Sequence, residues 1–299
     1  PRLSKGSYGM RAISLPKTGQ QKLSANQIGY GRELESLDTP QKFDFLPWEP
    51  TSDGAYVKGV QVRSTEAQAL RLGLWVKDIP LEAEISFYSS ANTAVTVVPA
   101  AAILESISRN LSAGDPEETA RFYWSPIMMG EVINFEVYLP AGVDTSEVMV
   151  AVPKISHINL PKLNSNTTQK SASKIAGPST NDVNDSLSCQ LDYQCDSSGQ
   201  TQGAAVGRML YTKDGGTYNC TGTLLNDLDT SVVAPYFISA AHCISTQTVA
   251  STLEVWWNYQ TTSCGSGFHD YDLHVCGDHR HVQTHIQNSV VEMMTATPF

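Results

Sequence analysis

A histidine at the end of an apolar segment is the clearest candidate for chemistry in this sequence. Residues 237–243 read Phe-Ile-Ser-Ala-Ala-His-Cys, so a predicted strand leads through two alanines to His242 and Cys243. The small residues leave room for a tight turn and an uncovered imidazole. Histidine titrates near neutral pH and acts as a general base once a partner lies within hydrogen-bond reach. We predict that His242 is such a base; the alternative is a structural histidine beside a structural disulfide.

Two cysteines are placed to hold that histidine in position. Cys220 begins the upstream segment Cys-Thr-Gly-Thr-Leu, which we predict to be the neighbouring strand, and Cys243 directly follows His242. A disulfide between the two cysteines would tie the turn of His242 to that strand. Closing a loop of about two dozen residues would stabilise the fold by roughly 3 kcal/mol on chain-entropy arguments.

The cysteines are confined to the C-terminal part of the chain, and the first 188 residues contain none. An even number clustered in one region predicts disulfides formed in an oxidising compartment, and hence a secreted protein. A zinc ribbon would need Cys-x-x-Cys pairs, and no such pair is present. We therefore expect no metal and no cofactor. The six cysteines are Cys189, Cys195, Cys220, Cys243, Cys264 and Cys276.

The composition argues against two classes of partner. The 299 residues include 20 Lys and Arg against 30 Asp and Glu, and the formal net charge of −10 gives no electrostatic support for nucleic-acid binding. No apolar run reaches the roughly 18 residues of a membrane-spanning helix, so we expect no membrane partner. The chain begins at Pro1 without a signal peptide, as it would if one had been trimmed or left out of this sequence. We expect a monomer.

Alternating apolar residues predict an antiparallel β-sandwich over residues 45–160. Several segments alternate apolar and polar side chains, which buries one face of a sheet, and turn-forming residues separate them. Residues 100–109 are predicted to form a short helix. Residues 1–44 are mixed and polar, and we expect a loosely structured lead-in there. The alternating segments are residues 60–62, 70–76, 133–139 and 148–152.

A polar segment separates the sandwich from the part that contains the cysteines. Residues 161–188 are rich in Ser, Asn, Thr and Lys and lack apolar periodicity, which indicates a linker. The linker is either a flexible spacer or an activation segment, since Lys162, Lys170 and Lys174 would be open to a Lys- or Arg-specific protease. Strands are predicted again over residues 205–211, 221–225, 232–239 and 253–259.

Several motifs resemble a known family. Cys-Thr-Gly-Thr-Leu-Leu, beginning at Cys220, and Ala-Ala-His-Cys, ending at Cys243, resemble the chymotrypsin-like serine proteases. The resemblance is closer to the bacterial lysyl endopeptidase group, because it also includes Trp-Asn-Tyr-Gln-Thr-Thr-Ser-Cys at residues 257–264. In the predicted sandwich, Leu-Arg-Leu-Gly-Leu at residues 70–74 and Tyr-Trp-Ser-Pro at residues 123–126 look like the propeptide region of such secreted precursors.

This resemblance implies an all-β secreted serine endopeptidase precursor that acts on proteins or peptides and prefers Lys. Residues 189–264 would be the N-terminal part of the protease domain, the first β-barrel of an incomplete double barrel. His242 would be the general base that accepts the proton of a serine nucleophile. The implied disulfides pair Cys220 with Cys243 and Cys195 with Cys264.

The serine and the aspartate of such a triad have no clear place in the sequence. No Gly-x-Ser-Gly turn follows His242, and Gly-Ser-Gly at residues 265–267 comes too soon after Cys264. Asp270 and Asp272 are the nearest aspartates, but their surroundings do not match the expected strand. We therefore predict little or no triad-dependent activity for this chain alone.

Residues 265–299 form a His-rich tail without resemblance to the family. The abrupt change of composition after Cys264 favours a reading-frame shift or a truncation. A second interpretation is a metal site built from these histidines with Cys276 and Asp278, and a third is a divergent native end in which Cys276 pairs with Cys189. The tail histidines are His269, His274, His279, His281 and His285.

Two functions therefore remain open. The first is a secreted protease precursor. The second is a catalytically inactive secreted homologue or a binding module that acts through the β-sandwich. A Gly-x-Ser-Gly turn would favour the first, and its absence favours the second for this chain as written. Residues 189–299 alone should be marginally stable, because a lone first barrel exposes the apolar face that normally meets the second barrel.

Overall fold

The structure is a computed structural model in which strands predominate. Among the described residues, three β-sheets hold most of the regular structure, and the longest helix has 13 residues. The all-β fold class predicted from the sequence is confirmed. No helix among the described residues is long and apolar enough to cross a bilayer. The structure describes residues 10–19, 21–24, 26–89, 94–159, 193–195, 197–225, 236–260, 264, 283–287 and 290–294.

Two sheets packed face to face form the N-terminal sandwich. Its strands are β1 (Arg11–Leu15), β2 (Gly29–Glu33), β3 (Glu49–Pro50), β4 (Tyr56–Ser64), β5 (Ala69–Asp78), β6 (Glu84–Ser89), β7 (Val95–Pro99), β8 (Phe122–Trp124), β9 (Met128–Met129), β10 (Val132–Leu139) and β11 (Met149–Ile158). One sheet has the order β1-β4-β10-β6-β7, with β3 beside β4, and the other has the order β2-β11-β5-β8, with β9 beside β5. The apolar residues of the alternating segments, such as Val60, Leu72 and Phe135, fill the core between the sheets.

The lead-in over residues 1–44 is more ordered than the sequence indicated. Within it, β1 pairs in parallel with β4, and β2 pairs antiparallel with β11. A short helix, α1 (Pro40–Asp44), begins after Thr39, whose Oγ1 accepts a hydrogen bond from the N–H of Lys42, and its Phe43 is buried in the core. The expectation of a loose lead-in is therefore corrected for the described residues. Strands this short are ordered by partners far along the chain, which no local pattern reveals.

Helix α2 (Ala100–Ser112) lies where the sequence predicts a short helix over residues 100–109. Ile103 and Ile107, one turn apart, face the core and are buried. The chain leaves the helix at Gly114, whose φ of +85° is the left-handed conformation that glycine adopts at low cost. A one-turn helix, α3 (Glu117–Ala120), follows.

A third sheet contains the strands that come after the linker. The elements here are α4 (Gln200–Gly203), β12 (Val206–Lys213), β13 (Gly216–Leu224), β14 (Tyr236–Ile238), α5 (Gln247–Ala250), β15 (Glu254–Trp257), β16 (Gln283–Gln287) and β17 (Val290–Met294). The sheet order is β15-β12-β13-β14-β17-β16. The described strands form an open sheet, and the closed first barrel stays a prediction. The linker predicted over residues 161–188 lies outside the described residues.

Arg71 on β5 joins the sandwich to the third sheet. The alternation of its strand places it on the face away from the core of the sandwich, yet its side chain is only 1% exposed. Its Nε donates to the carbonyl of Ser125 at 2.7 Å. Its Nη1 donates to Thr212 Oγ1 at 3.0 Å and to the carbonyl of Thr252 at 2.9 Å, and its Nη2 lies 3.2 Å from Glu254 Oε1. Both faces of β5 are therefore buried, one by the core and one by the third sheet.

The Arg71–Glu254 ion pair is closed off from water. Glu254 is 7% exposed, and its Oε1 also accepts a hydrogen bond from the N–H of Ile127 at 2.9 Å. Burial lowers the pKa of Arg71 and the charge of Glu254 raises it; a guanidinium starts so high that it stays protonated. A small apolar cluster, with Leu210 from the third sheet and Ile158 from the sandwich, adds to the contact.

The segment before β2 makes a second contact with the third sheet. The N–H of Ile28 donates to the carbonyl of Thr217 at 2.8 Å, and the N–H of Asn219 donates to the carbonyl of Asn26 at 2.8 Å. Ser156 Oγ and Thr217 Oγ1 form a buried hydrogen bond of 2.7 Å. We refer to these contacts and the buried ion pair together as the junction between the sandwich and the third sheet.

Replacing Arg71 by Met is expected to lower the free energy of unfolding by about 3–5 kcal/mol, because the Glu254 carboxylate stays buried without its partner. Urea-induced unfolding of the full chain, followed by tryptophan fluorescence, measures the loss. The control is Arg63→Met: Arg63 pairs with Glu131 at the surface, with 54% of its side chain exposed, and such pairs contribute little. Equal effects for the two variants would contradict a central role for the buried pair.

Candidate active site

His242 lies on a turn that directly follows β14. Phe237 anchors this strand, because its side chain is fully buried and packs edge-on against Trp257 with ring centroids 5.9 Å apart. Gly222 lies beside it on β13, and a Cβ there would lie 2.2 Å from Phe237 Cε1, so the position requires glycine. Buried Phe237 and the glycine of the Cys-Thr-Gly-Thr motif therefore fix the position of β14 and, with it, the start of the turn that carries His242.

The turn that carries His242 is held from several sides. The N–H of Cys243 donates to the carbonyl of Ala240 at 3.0 Å, which closes the turn, and Ser239 Oγ donates to a carbonyl of β13 at 2.8 Å. A disulfide joins Cys243 to Cys220 on β13. Cys243 is buried, whereas His242 is exposed. The imidazole is thus presented to solvent from a backbone with little freedom to move.

The atoms around His242 do not suit a metal ion while the disulfide is formed. One ring nitrogen of His242 and the sulfurs of Cys220 and Cys243 lie within 4.8 Å of one another. The two sulfurs are bonded to each other, so the group offers a single ligand, the imidazole. Zinc sites in proteins use three or four protein ligands. The arrangement suits an imidazole that accepts a proton from a hydroxyl brought to it.

A second disulfide joins Cys195 to Cys264, which are 69 residues apart in the sequence. It ties the short 3₁₀ segment Tyr193–Cys195 to the chain beyond β15. The structure thus contains the two cysteine pairings that the resemblance implies.

Other residues singled out from the sequence fall outside what the structure describes. Of the tail, only the backbone of β16 and β17 is described. The metal interpretation of the tail and the pairing of Cys189 with Cys276 therefore stay predictions. The site residues outside the described ranges are Cys189, Ser266, Asp270, Asp272, Cys276, Asp278 and the side chains of the five tail histidines.

Two sandwich residues hold the segment that follows His242, and sequence reasoning missed both. The N–H of Thr248, in α5, donates to Asp115 Oδ2 at 2.6 Å, and Ser251 Oγ donates to Asn110 Oδ1 at 2.7 Å. The partners are 133 and 141 residues apart in the sequence, so no spacing rule could have related them. These contacts connect the sandwich to the backbone that leads back to His242.

Fold and site together define the class of protein: an all-β serine-protease-like chain with an exposed histidine on a disulfide-bound turn. Two family profiles match it, one described as the lysyl endopeptidase N-terminal domain, over residues 9–159, and one as the lysyl endopeptidase C-terminal domain, over residues 183–296. The chain belongs to the lysyl endopeptidase family, which confirms the resemblance. The second match includes residues 265–296, which the sequence alone had left outside that resemblance.

A curated relative aligns with most of the chain. A lysyl endopeptidase from Pseudomonas aeruginosa is 28% identical over 249 residues, which are 80% of this chain and 47% of the relative. The chain therefore spans about half the length of the curated relative that it matches. No solved structure matches the chain.

Replacing Gly222 by Ala is expected to lower the free energy of unfolding by about 1–3 kcal/mol, because the new methyl group displaces the Phe237 ring in a packed core. Thermal unfolding followed by circular dichroism measures the change. Gly19→Ala is the matched control, since nothing lies within 4 Å of a Cβ at that position. If both substitutions had the same effect, close packing of Gly222 against Phe237 could not be what holds β14 in place.

Proposed function

We propose that this chain forms part of a secreted serine endopeptidase precursor that cleaves peptide bonds at lysine, with His242 as its general base. The observation that carries the proposal is the exposed imidazole at the end of a buried strand, held by the disulfide between Cys220 and Cys243. Membership in the lysyl endopeptidase family supports both the reaction and the preference for lysine. Proteins or peptides would be the substrates.

The proposed reaction is acyl transfer from a peptide to a serine. His242 would take the hydroxyl proton as the serine oxygen attacks the carbonyl carbon, and would return that proton to the leaving amine. A carboxylate on the other ring nitrogen would hold the imidazole in the required tautomer, and backbone N–H groups would stabilise the oxyanion. An exposed ring on a rigid turn has room for both partners.

We further propose that this chain by itself supplies the base without the nucleophile. The sequence has no Gly-x-Ser-Gly turn after His242, so triad-dependent turnover should be absent or very small.

In the precursor, we assign the sandwich as the pro-region and residues 161–188 as the segment cut on activation. The buried junction supports this assignment, because Arg71 and Asp115 connect the sandwich to the sheet and the helix on either side of the His242 turn. Two disulfides support secretion, since such bonds persist in oxidising compartments.

Incubation of the full chain with a lysine p-nitroanilide and with a serine-directed fluorophosphonate probe tests this proposal. We expect no labelling, and turnover at the level of buffer alone in both the wild type and His242→Ala, because no Gly-x-Ser-Gly turn follows His242 in this sequence. The matched control is Ser245→Ala, an exposed position three residues further along.

The other outcomes are equally informative. Turnover that is abolished in His242→Ala and kept in Ser245→Ala would show that the chain contains a complete triad. That result would overturn the proposal that the nucleophile is missing. Turnover that survives in His242→Ala would overturn the assigned role of His242, since loss of a triad base removes several orders of magnitude in kcat.

A further inference from the structure

The disulfide beside His242 holds together three side chains that become metal ligands when the bond is reduced. Among the described residues, Cys220, His242 and Cys243 are the one group of three or more His, Cys, Asp or Glu side chains close enough to hold a metal ion. One imidazole nitrogen and the two sulfurs all lie within 4.8 Å of one another. In the disulfide each sulfur is bonded to the other, and reduction turns both into thiols that bind metals as thiolates.

The three ligand atoms suit zinc better than the common hard cations. Thiolate and imidazole ligands favour zinc, whereas magnesium and calcium prefer oxygen. Two thiolates also neutralise the charge of Zn²⁺, so the ion enters a partly buried site without an excess charge. Three protein ligands leave the fourth tetrahedral position to water, and that position is open because His242 is exposed.

The backbone already places the two cysteines at a suitable separation. Tetrahedral coordination holds two zinc-bound sulfurs roughly 3.8 Å apart, and a sulfur and an imidazole nitrogen roughly 3.6 Å apart. The Cα atoms of Cys220 and Cys243 are 6.4 Å apart, so rotation about the Cα–Cβ bonds brings the released sulfurs to that separation. The zinc geometry is therefore reached by movement of side chains.

The turn keeps its position without the disulfide, because other contacts hold it on both sides of the histidine. On one side, β14 pairs with β13, and its neighbour Ser239 donates through Oγ to the carbonyl of Thr221, which directly follows Cys220. On the other side, Cys243 lies in a buried apolar cluster that also contains Phe237. Reduction therefore frees the two sulfurs and leaves them beside the imidazole.

We propose that Cys220, His242 and Cys243 form a zinc site in the reduced protein, so that the metal ion and the disulfide are alternative cross-links of the same turn. The reductant is a dithiol, which transfers two electrons and two protons to the disulfide and is itself oxidised to a cyclic disulfide. Zinc then displaces one proton from each thiol to solvent and takes the lone pair of the neutral imidazole.

A zinc ion in this site removes the basicity of His242. A neutral imidazole has one nitrogen that accepts a proton, and zinc uses its lone pair, so the ring can no longer take a proton from a hydroxyl. This consequence rests on the role proposed above for His242. Zinc binding itself does not rest on that role, and its test measures no activity.

Cobalt binding to the full chain tests the proposal, because Co²⁺ occupies tetrahedral zinc sites and its bonds to thiolates absorb in the near ultraviolet. The chain is reduced with a dithiol, freed from it in the absence of oxygen and titrated with Co²⁺, and Zn²⁺ is then added. We expect a thiolate–cobalt band that saturates and that disappears when zinc, the tighter-binding ion, displaces cobalt. The band should be absent from the unreduced chain, whose sulfurs at this site are bonded to each other.

Paired cysteine variants locate the metal ion. Replacing Cys220 and Cys243 together by Ser should abolish the band. The matched control replaces Cys195 and Cys264, the other disulfide of the structure, and should keep it. A band that survives in the first pair, or that is lost only in the control pair, would place the metal ion elsewhere and overturn the proposal.

His242→Gln tests the third ligand while both cysteines remain. The position is exposed, so the variant should fold, and its affinity for cobalt should fall by more than about 100-fold, since losing a mere hydrogen-bond partner of a ligand already costs about 10- to 100-fold. The chain with Cys189→Ser and Cys276→Ser should bind cobalt as the wild type does. Unchanged affinity in His242→Gln would contradict the assigned ligand set.

Far-ultraviolet circular dichroism of the chain before and after reduction completes the test. The spectra should agree, because the turn is held by its strand pairing and buried cluster as well as by the disulfide. Loss of the β-sheet signal on reduction would overturn the proposal, which requires the three ligands to stay together without the bond.

Discussion

The buried guanidinium of Arg71 determines how the sandwich packs against the third sheet, whose strand β14 leads to His242. Arg71 donates to a carbonyl of its own domain and to Thr212, Thr252 and Glu254 of the other part of the chain. A charge with almost no access to water is tolerated only when partners surround it in good geometry. Sliding β5 against the third sheet by one residue would separate the guanidinium from Thr212 and Glu254 in that sheet and from the carbonyl of Thr252 just before β15. The register between the two parts is therefore fixed by this requirement more than by their modest apolar contact.

Two stretches of backbone connect the contacts of Arg71 and Asp115 to the candidate active site. On one side, β12 carries Thr212 and pairs along its length with β13, whose Cys220 is bonded to the residue that follows His242. On the other side, α5 follows the histidine turn and is held by Asp115 of the sandwich. The turn lies between these two supports. The sandwich thus contributes to the position of the imidazole through elements that flank it.

The sequence predicted the parts of this fold that obey local rules and missed those that depend on distant partners. Period-two alternation placed the sandwich strands, and an apolar segment followed by small residues placed the turn of His242. The same alternation places Arg71 and Glu254 on the polar faces of their strands, and it cannot tell a polar face in water from a polar face covered by another part of the chain. Short strands such as β1 and β2 carry too few residues for a pattern of their own. Whether the third sheet closes into a barrel depends on pairings that no local signal specifies.

The polar character of the junction would let the two parts of the chain separate without leaving a buried polar group unpaired. When the two parts separate, water replaces Glu254 as the partner of Arg71, and Arg71 as the partner of Glu254. Water likewise hydrogen-bonds to the hydroxyls of Ser156 and Thr217, so these groups keep partners after separation. The apolar share is a small cluster around Leu210, whereas obligate interfaces are larger and more hydrophobic.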